Sequence, residues 1–207
     1  KKTRIMLNHF MNSTINRISG NAKAMVITKS RLHTVLYKKE FDKLIESEGY
    51  SIKTLVAFTG VVKFQGKEYT ENSLNNLPPR KTISNTFKEN EFKLLIVANK
   101  FQTGFDQPLL HTIFVDKLLN GITAVQSLSR ANRIYPNKND TLILDFANKT
   151  EVIQKAFQPY YETTYLSEST DPHKLYDLEE KLYDYHIFDK NEVENFVKNY
   201  KGNAKQA

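Results

Sequence analysis

The sequence predicts an α/β fold, a mostly parallel sheet with helices on both faces, followed by a C-terminal helical appendage. Three observations predict it. Apolar runs of strand length recur at "KAMVITKSR", "IKTLVAF", "KLLIVA", "TIFVDK" and "TLILDF". Stretches of helical spacing lie among them, and such alternation of strands and helices favours a parallel sheet buried on both sides. After residue 158 no further strand-like run occurs, which sets expected domains of 1–157 and 158–207.

Taken in order, Ile5, Leu7, Phe10, Met11, Ile15 and Ile18 recur near helical spacing, predicting a helix over 4–18 stopped by Ser19-Gly20. The strand "KAMVIT" follows, then a helix in "LHTVLYKKEFDKLIESEGY" closed by Gly49. A strand at "IKTLVAF" ends in a turn at Thr59-Gly60. Between Val61 and Arg80 lies a long polar excursion, and loops of that length within a domain tend to be functional or mobile. A helix near "TISNTFKEN", the strands "KLLIVA" and "TIFVDK", a helix in "ITAVQSLSRANRIYP", the strand "TLILDF" and a helix from about Lys149 complete the first domain. In the appendage, Asp171 and Pro172 fit the N-cap and first position of a helix in "DPHKLYDLEEKLYDY", and "KNEVENFVKNY" supplies another.

Lys and Arg outnumber Asp and Glu by 30 to 23, for a formal charge of +7, which is compatible with a polyanionic partner. The absence of cysteine excludes disulfides and thiolate metal sites and makes an intracellular location the simpler expectation. No apolar stretch approaches the roughly 18 residues of a membrane-spanning helix. The opening "KKTRIML" lacks an initiator methionine, so a piece of a longer chain is expected.

Three constellations carry chemistry. Gln126, Arg130 and Arg133 are spaced four and three apart, so on a helix they form one row opposite Ala124, Val125, Leu128 and Ala131. No acidic residue between Gly121 and Asn139 can pair with the two guanidiniums, and a phosphate would. An ordinary solvated face is the alternative. The second is the loop Asn99 to Asp106, delivered by a buried strand to the sheet's carboxyl edge, where ligands of open α/β sheets bind. There Gly104 permits close backbone approach, Thr103 offers a hydroxyl to a phosphate and Asp106 can accept from sugar hydroxyls; a plain turn stopped by Pro108 is the alternative. The third comprises the strand ends, Thr28 and Arg31 after one strand and Thr59 and Gly60 after the next, suited to phosphate contacts or serving only as turns.

His9, His33, His111, His173 and His186 are scattered without metal-ligand spacing. No GxSxG elbow or GxxxxGK[ST] loop occurs, so any nucleotide site here would be half a site.

The stretches "KAMVITKSR", "VAFTG" with "KEYTE", "LLIVANKFQTGFDQPLLHTIFVDK", "AVQSLSRANRIYP", "DTLILDF" and "AFQPYYETT" resemble, in order and over nearly the whole chain, the second RecA-like motor domain of superfamily-two helicases and translocases. Within that group they resemble the restriction subunit of type I restriction-modification enzymes. The resemblance implies a RecA-like sheet and an ATP-driven double-stranded DNA translocase linked to cleavage, in a prokaryotic cytoplasm with no membrane. ATP and Mg²⁺ would be held mainly by a first RecA-like domain outside this chain. The family's arginine motif, QxxGRxxR, matches "QSLSRANR", implying Arg133 as arginine finger, Arg130 as its companion and Gln126 as nucleotide sensor. Ser129 departs from the motif's glycine. The resemblance also implies Thr103 and Gly104 near DNA phosphates, Gly104 and Asp106 toward nucleotide, and Thr28, Arg31, Thr59 and Gly60 on the DNA backbone. Implied partners are double-stranded DNA, the first motor domain and nuclease domain of the same subunit, and modification and specificity subunits. Without a phosphate loop or nuclease domain, the chain alone is expected to be inactive. Two alternatives stand beside this: a non-enzymatic nucleic-acid-binding module with a motor-like fold, and a repair or RNA helicase domain of the same superfamily.

Overall fold

The computed structural model describes residues 1–78, 80–101, 105–161 and 190–203. The chain divides into two compact units, Lys1–Gln158 and Pro159–Ala207.

The first unit is built on a five-stranded parallel sheet: β1 (Lys23–Thr28), β2 (Lys53–Ala57), β5 (Phe92–Val97), β6 (Leu110–Asp116) and β7 (Leu142–Asp145), in the order β2-β5-β1-β6-β7. Every residue of β1 and β5 is buried, as continuous apolar runs predict for inner parallel strands. Successive side chains point to opposite faces. Met25, Ile27, Leu95, Val97, Ile113 and Val115 face one core, and Ala24, Val26, Leu94, Ile96 and Phe114 face the other. The second core is closed by α1 (Lys2–His9) through Met6 and Leu7, and by α2 (Arg31–Ser47) through Val35, Phe41 and Leu44. The first core receives Ala124 and Leu128 of α5 (Gly121–Leu128) and Ala156 of α6 (Thr150–Tyr161).

Two expectations are corrected here. The helix expected over 4–18 is interrupted: α1 ends at His9 and is followed by a wide turn, Phe10–Thr14, closed by a bond from Ile15 N to the Phe10 carbonyl at 2.8 Å. Arg17–Gly20 then bends through left-handed Ile18 and Ser19, both at φ 53°. The wide turn keeps Phe10 in the core and brings the Thr14 hydroxyl within 2.9 Å of Thr112 on β6, a buried tie that a regular helix period would not by itself provide.

The polar excursion is also structured. A hairpin of β3 (Val62–Phe64) and β4 (Lys67–Tyr69) turns at Gln65-Gly66, both at positive φ, and α3 (Glu71–Asn75) follows. Its task is visible in the bonds. β2 is an edge strand, and edge strands carry unpaired backbone groups. Asn75 accepts from Val56 N and donates to Val56 O, each at 2.8 Å, while Glu71 accepts from Phe58 N at 2.9 Å. The excursion thus occupies the open edge of the sheet. The helix expected near "TISNTFKEN" is only the short α4 (Ile83–Thr86), capped by Thr82.

In the second unit the described element is α7 (Lys190–Asn203), where "KNEVENFVKNY" places a helix. The helix expected in "DPHKLYDLEEKLYDY", including Asp171 and Pro172, lies outside the described residues.

Candidate nucleotide and nucleic-acid site

All five strands of the main sheet run parallel, so their carboxyl ends share one edge and the loops that leave it are neighbours. α5 begins after one such loop. Its Ala124 and Leu128, and Ala131 just beyond it, are buried while Gln126 stays exposed, which is the division the spacing predicts. The single helical row is corrected, however. The α-helix stops at Leu128, Ser129–Asn132 form a tighter 3₁₀ turn, and Arg133 is extended at φ −68°, ψ 133°. The tighter turn lets Ala131 remain buried and brings the chain off the helix axis before Arg133. Ser129 sits at φ −63°, ψ −10°, a conformation open to any residue, so its departure from the motif's glycine alters no backbone path.

Despite that break, Gln126, Arg130 and Arg133 line one recess of about 520 Å³ with Phe105, Asp106, Ser129 and Asn132. Arg130 is partly buried, and its Nη1 donates to the Phe105 carbonyl at 2.7 Å. Phe105 is itself held by tilted ring contacts with the buried Phe87 and the partly buried Phe101. Burial first, and the neighbouring Arg133 charge second, hold the Arg130 guanidinium below its ordinary pKa. The recess therefore holds like charges close together in a partly desolvated place, which is what a polyanion relieves.

No carboxylate lies between Gly121 and Asn139, as the sequence shows, but one reaches Arg133 from elsewhere. Asp106, from a separate loop, places Oδ1 3.5 Å from Arg133 Nε. Both side chains are more than half exposed, at 58% for Arg133 and 74% for Asp106, and such pairs are worth only about 0–1 kcal/mol. A ligand phosphate can displace the pair at small cost.

The strand-end candidates separate into two kinds. Arg31, the first residue of α2, donates from Nη1 to the Thr59 carbonyl at 3.0 Å. Gly60 takes φ 80°, and a Cβ there would stand 2.8 Å from that same Nη1. Arg31, Thr59 and Gly60 are all exposed and form one cluster. Thr28 does not join it. Its side chain is fully buried, with Oγ1 3.1 Å from the Ser30 and Val97 carbonyls and 2.9 Å from the Thr34 hydroxyl. A hydroxyl so enclosed cannot reach a DNA phosphate. Thr28 instead joins the ends of β1 and β5 to the start of α2, holding Arg31 in place. Thr103 and Gly104 lie outside the described residues.

Sequence reasoning missed several residues that shape this edge. Asn148 accepts from Leu119 N and donates to the Lys117 carbonyl, each at 2.8 Å, fixing the loop that starts α5. Glu71 accepts from Lys100 at 2.8 Å as well as from Phe58 N, linking the end of β2 to the loop after β5. Lys138 reaches four backbone carbonyls beneath the arginine segment. Asn148 follows "LILDFA", a strand end where an Asn commonly bonds backbone; the partners of Glu71, and two of the four carbonyls at Lys138, lie far away in sequence and leave no local signal.

Among the described residues no group of three or more His, Asp or Glu side chains could hold a metal ion, and no helix is long and apolar enough to cross a membrane.

Comparison with known proteins bears on part of this edge. Residues 63–148, which include Asp106 and the arginine segment, match the family described as type I restriction enzyme subunit R domain 3. The putative type I restriction enzyme MjaVIIP endonuclease subunit of Methanocaldococcus jannaschii is 31% identical over 156 residues, 67% of this chain and 14% of that protein. The MjaVIIIP endonuclease subunit of the same organism is 33% identical over 152 residues, 67% of this chain and 15% of that protein. The chain thus spans 14–15% of the length of these relatives. Among solved structures, the C-terminal domain of the DEAD-box protein Dbp5 is similar with a TM-score of 0.48 and 15% identity, covering 78% of this chain and 79% of that one. From the family match and the shared sequence, the chain belongs to the type I restriction enzyme R-subunit family.

Proposed function

We propose that this domain is the second motor lobe of an ATP-driven double-stranded DNA translocase coupled to DNA cleavage. The observation that carries the proposal is the recess in which Gln126, Arg130, Arg133 and Asp106 converge although they come from two separate segments. A polyphosphate fits that donor set: two guanidinium forks for phosphate oxygens, an amide, and a carboxylate for a sugar hydroxyl. Mg²⁺ and ATP would be held mainly by a first motor lobe outside this chain, ATP supplying the phosphoryl bond whose hydrolysis drives movement.

In this reading Arg133 is the finger. Its exposed side chain swings from Asp106 to the γ phosphate, where positive charge placed against the developing negative charge accelerates transfer by about 10³ to 10⁵. Arg130, tethered to Phe105, is the fixed companion, and Gln126 reads nucleotide from the helix. Asp106, released by Arg133, turns to the ribose, and Gly104 is assigned to the nucleotide as well. Arg31, Thr59, Gly60 and Thr103 contact the DNA backbone, where contacts carry little sequence information, as movement along any DNA requires. Loss of the γ phosphate removes the arginines' partner and opens the lobes, so each turnover changes the grip on DNA. Target recognition and methylation belong to specificity and modification subunits.

The test is a translocation assay on the complete enzyme. ATP-dependent displacement of a third strand from duplex DNA, lost in Arg133→Ala and Gln126→Ala, supports the proposal. Displacement that survives both substitutions overturns it.

A further inference from the structure

We infer that Lys138 is the positioning residue of the arginine recess, a single ammonium that fixes both of its walls. Resting on the reading of Arg133 as finger, it adds a residue that touches no nucleotide and acts through the backbone.

The chain after Arg133 turns back at Tyr135-Pro136-Asn137-Lys138. Asn137 adopts φ 61°, and Lys138 N bonds the Tyr135 carbonyl at 3.1 Å. That reversal directs the Lys138 side chain underneath the segment it has just left. There Nζ lies 2.9 Å from the carbonyl of Arg133, the residue after the 3₁₀ turn, and 2.5 Å from the carbonyl of Ala131 within it. On its other side Nζ lies 2.9 Å from the Pro108 carbonyl and 2.8 Å from the Leu110 carbonyl. Those two close the segment that begins with Phe105 and Asp106, the opposite wall of the recess.

Four carbonyls from two separate segments thus converge on one ammonium, which has three protons to share among them. Carbonyl dipoles that point together repel, and a cation at their focus is what holds them. Arg133 is the residue most dependent on this. Its backbone is already extended beyond the helix, its side chain is exposed, and the bond from Lys138 is made to its own carbonyl. Arg130 has a second anchor in Phe105, and Gln126 lies inside α5. Burial lowers the Lys138 pKa, in keeping with an ammonium partly withdrawn from water.

The experiment uses the complete subunit with DNA present and compares wild type, Lys138→Met, Lys138→Arg, Arg133→Ala and the Lys138→Met, Arg133→Ala double variant. Lys138→Met should lower kcat for ATP hydrolysis by about a hundredfold, the scale of an ångström-sized misplacement of a catalytic group, with KM for ATP and DNA affinity within a few fold. Lys138→Arg, which keeps a cation with several donors, should recover part of the loss. In the Arg133→Ala background Lys138→Met should cost almost nothing further, because its effect passes through Arg133. Wild-type kcat in folded Lys138→Met overturns the inference, as does an equal loss from Lys138→Met with and without Arg133. If Lys138→Met fails to fold, Lys138→Gln carries the same comparison. Normal turnover in Arg133→Ala alone refutes the finger reading itself, a separate outcome.

Discussion

The guanidinium of Arg130 is tied to the Phe105 carbonyl at 2.7 Å, whereas the guanidinium of Arg133, three residues on, lies 3.5 Å from the carboxylate of an exposed Asp106. Two arginines of one motif therefore hold different positions: one is built into the wall, and the other stands over the opening.

That difference makes the two substitutions separable. Arg130→Ala removes a charged donor from a carbonyl at the edge of the core and should destabilise the fold by about 1–3 kcal/mol in addition to lowering turnover. Arg133→Ala should leave stability within about 0.5 kcal/mol of wild type, as for surface changes in general. Urea unfolding of the 207-residue chain reads both, and equal stability losses would remove the distinction.

Gly60 predicts a linked effect on the cluster it forms with Arg31 and Thr59. A side chain at φ 80° is strained by about 1–2 kcal/mol, and the Cβ of Gly60→Ala would meet Arg31 Nη1 at 2.8 Å. The flexible guanidinium gives way, losing the Thr59 carbonyl. Gly60→Ala should therefore both lower the unfolding midpoint and change the salt dependence of DNA binding by the complete enzyme, because Arg31 is redirected. An unchanged midpoint would show that the backbone there relaxes out of the left-handed region.

Asn75 tests the role of the excursion. Replacing it with Ala leaves Val56 N and O without their partner on the outer edge of β2, at a cost of about 1–3 kcal/mol. An uncovered edge also invites pairing with another chain. Sedimentation should show concentration-dependent association of Asn75→Ala and a monodisperse wild type; identical behaviour would mean that the rest of the excursion suffices.

Stability should also respond to alkaline pH through Lys23. Burial, and then the nearby Lys93, push its ammonium from the ordinary 10.5 down to about 8. Between those values the folded chain holds Lys23 neutral while the unfolded chain keeps it protonated. The unfolded state binds the extra proton, so stability rises with pH across that window. Denaturation midpoints at about pH 7.5 and about pH 9.5 should differ more for wild type than for Lys23→Met. The same pH difference in both would assign the effect to other groups.

How much of this could be read in the sequence depends on how local the cause is. The five strands were legible because strands buried on both faces are continuous apolar runs, as β1 and β5 show. The packing face of α5 was legible because Ala124 and Leu128 repeat at helical spacing. Where α5 ends was not: a 3₁₀ turn and an α turn share the same apolar pattern over four residues, and Ala131 is buried here just as a continuous helix would bury it. The hairpin in the excursion carried a signal in Gln65-Gly66, obscured by the polar residues around it. The enclosure of Thr28 and the approach of Asp106 to Arg133 depend on segments distant in sequence, so no local pattern reveals them.

The central claim is that Arg133 completes an ATP site shared with another lobe, and the most direct measurement is DNA-stimulated ATP turnover by the complete subunit carrying Arg133→Ala. The account predicts a fall in kcat of about 10³ to 10⁵ with DNA affinity within a few fold of wild type. Near-normal turnover by a folded Arg133→Ala subunit would contradict it.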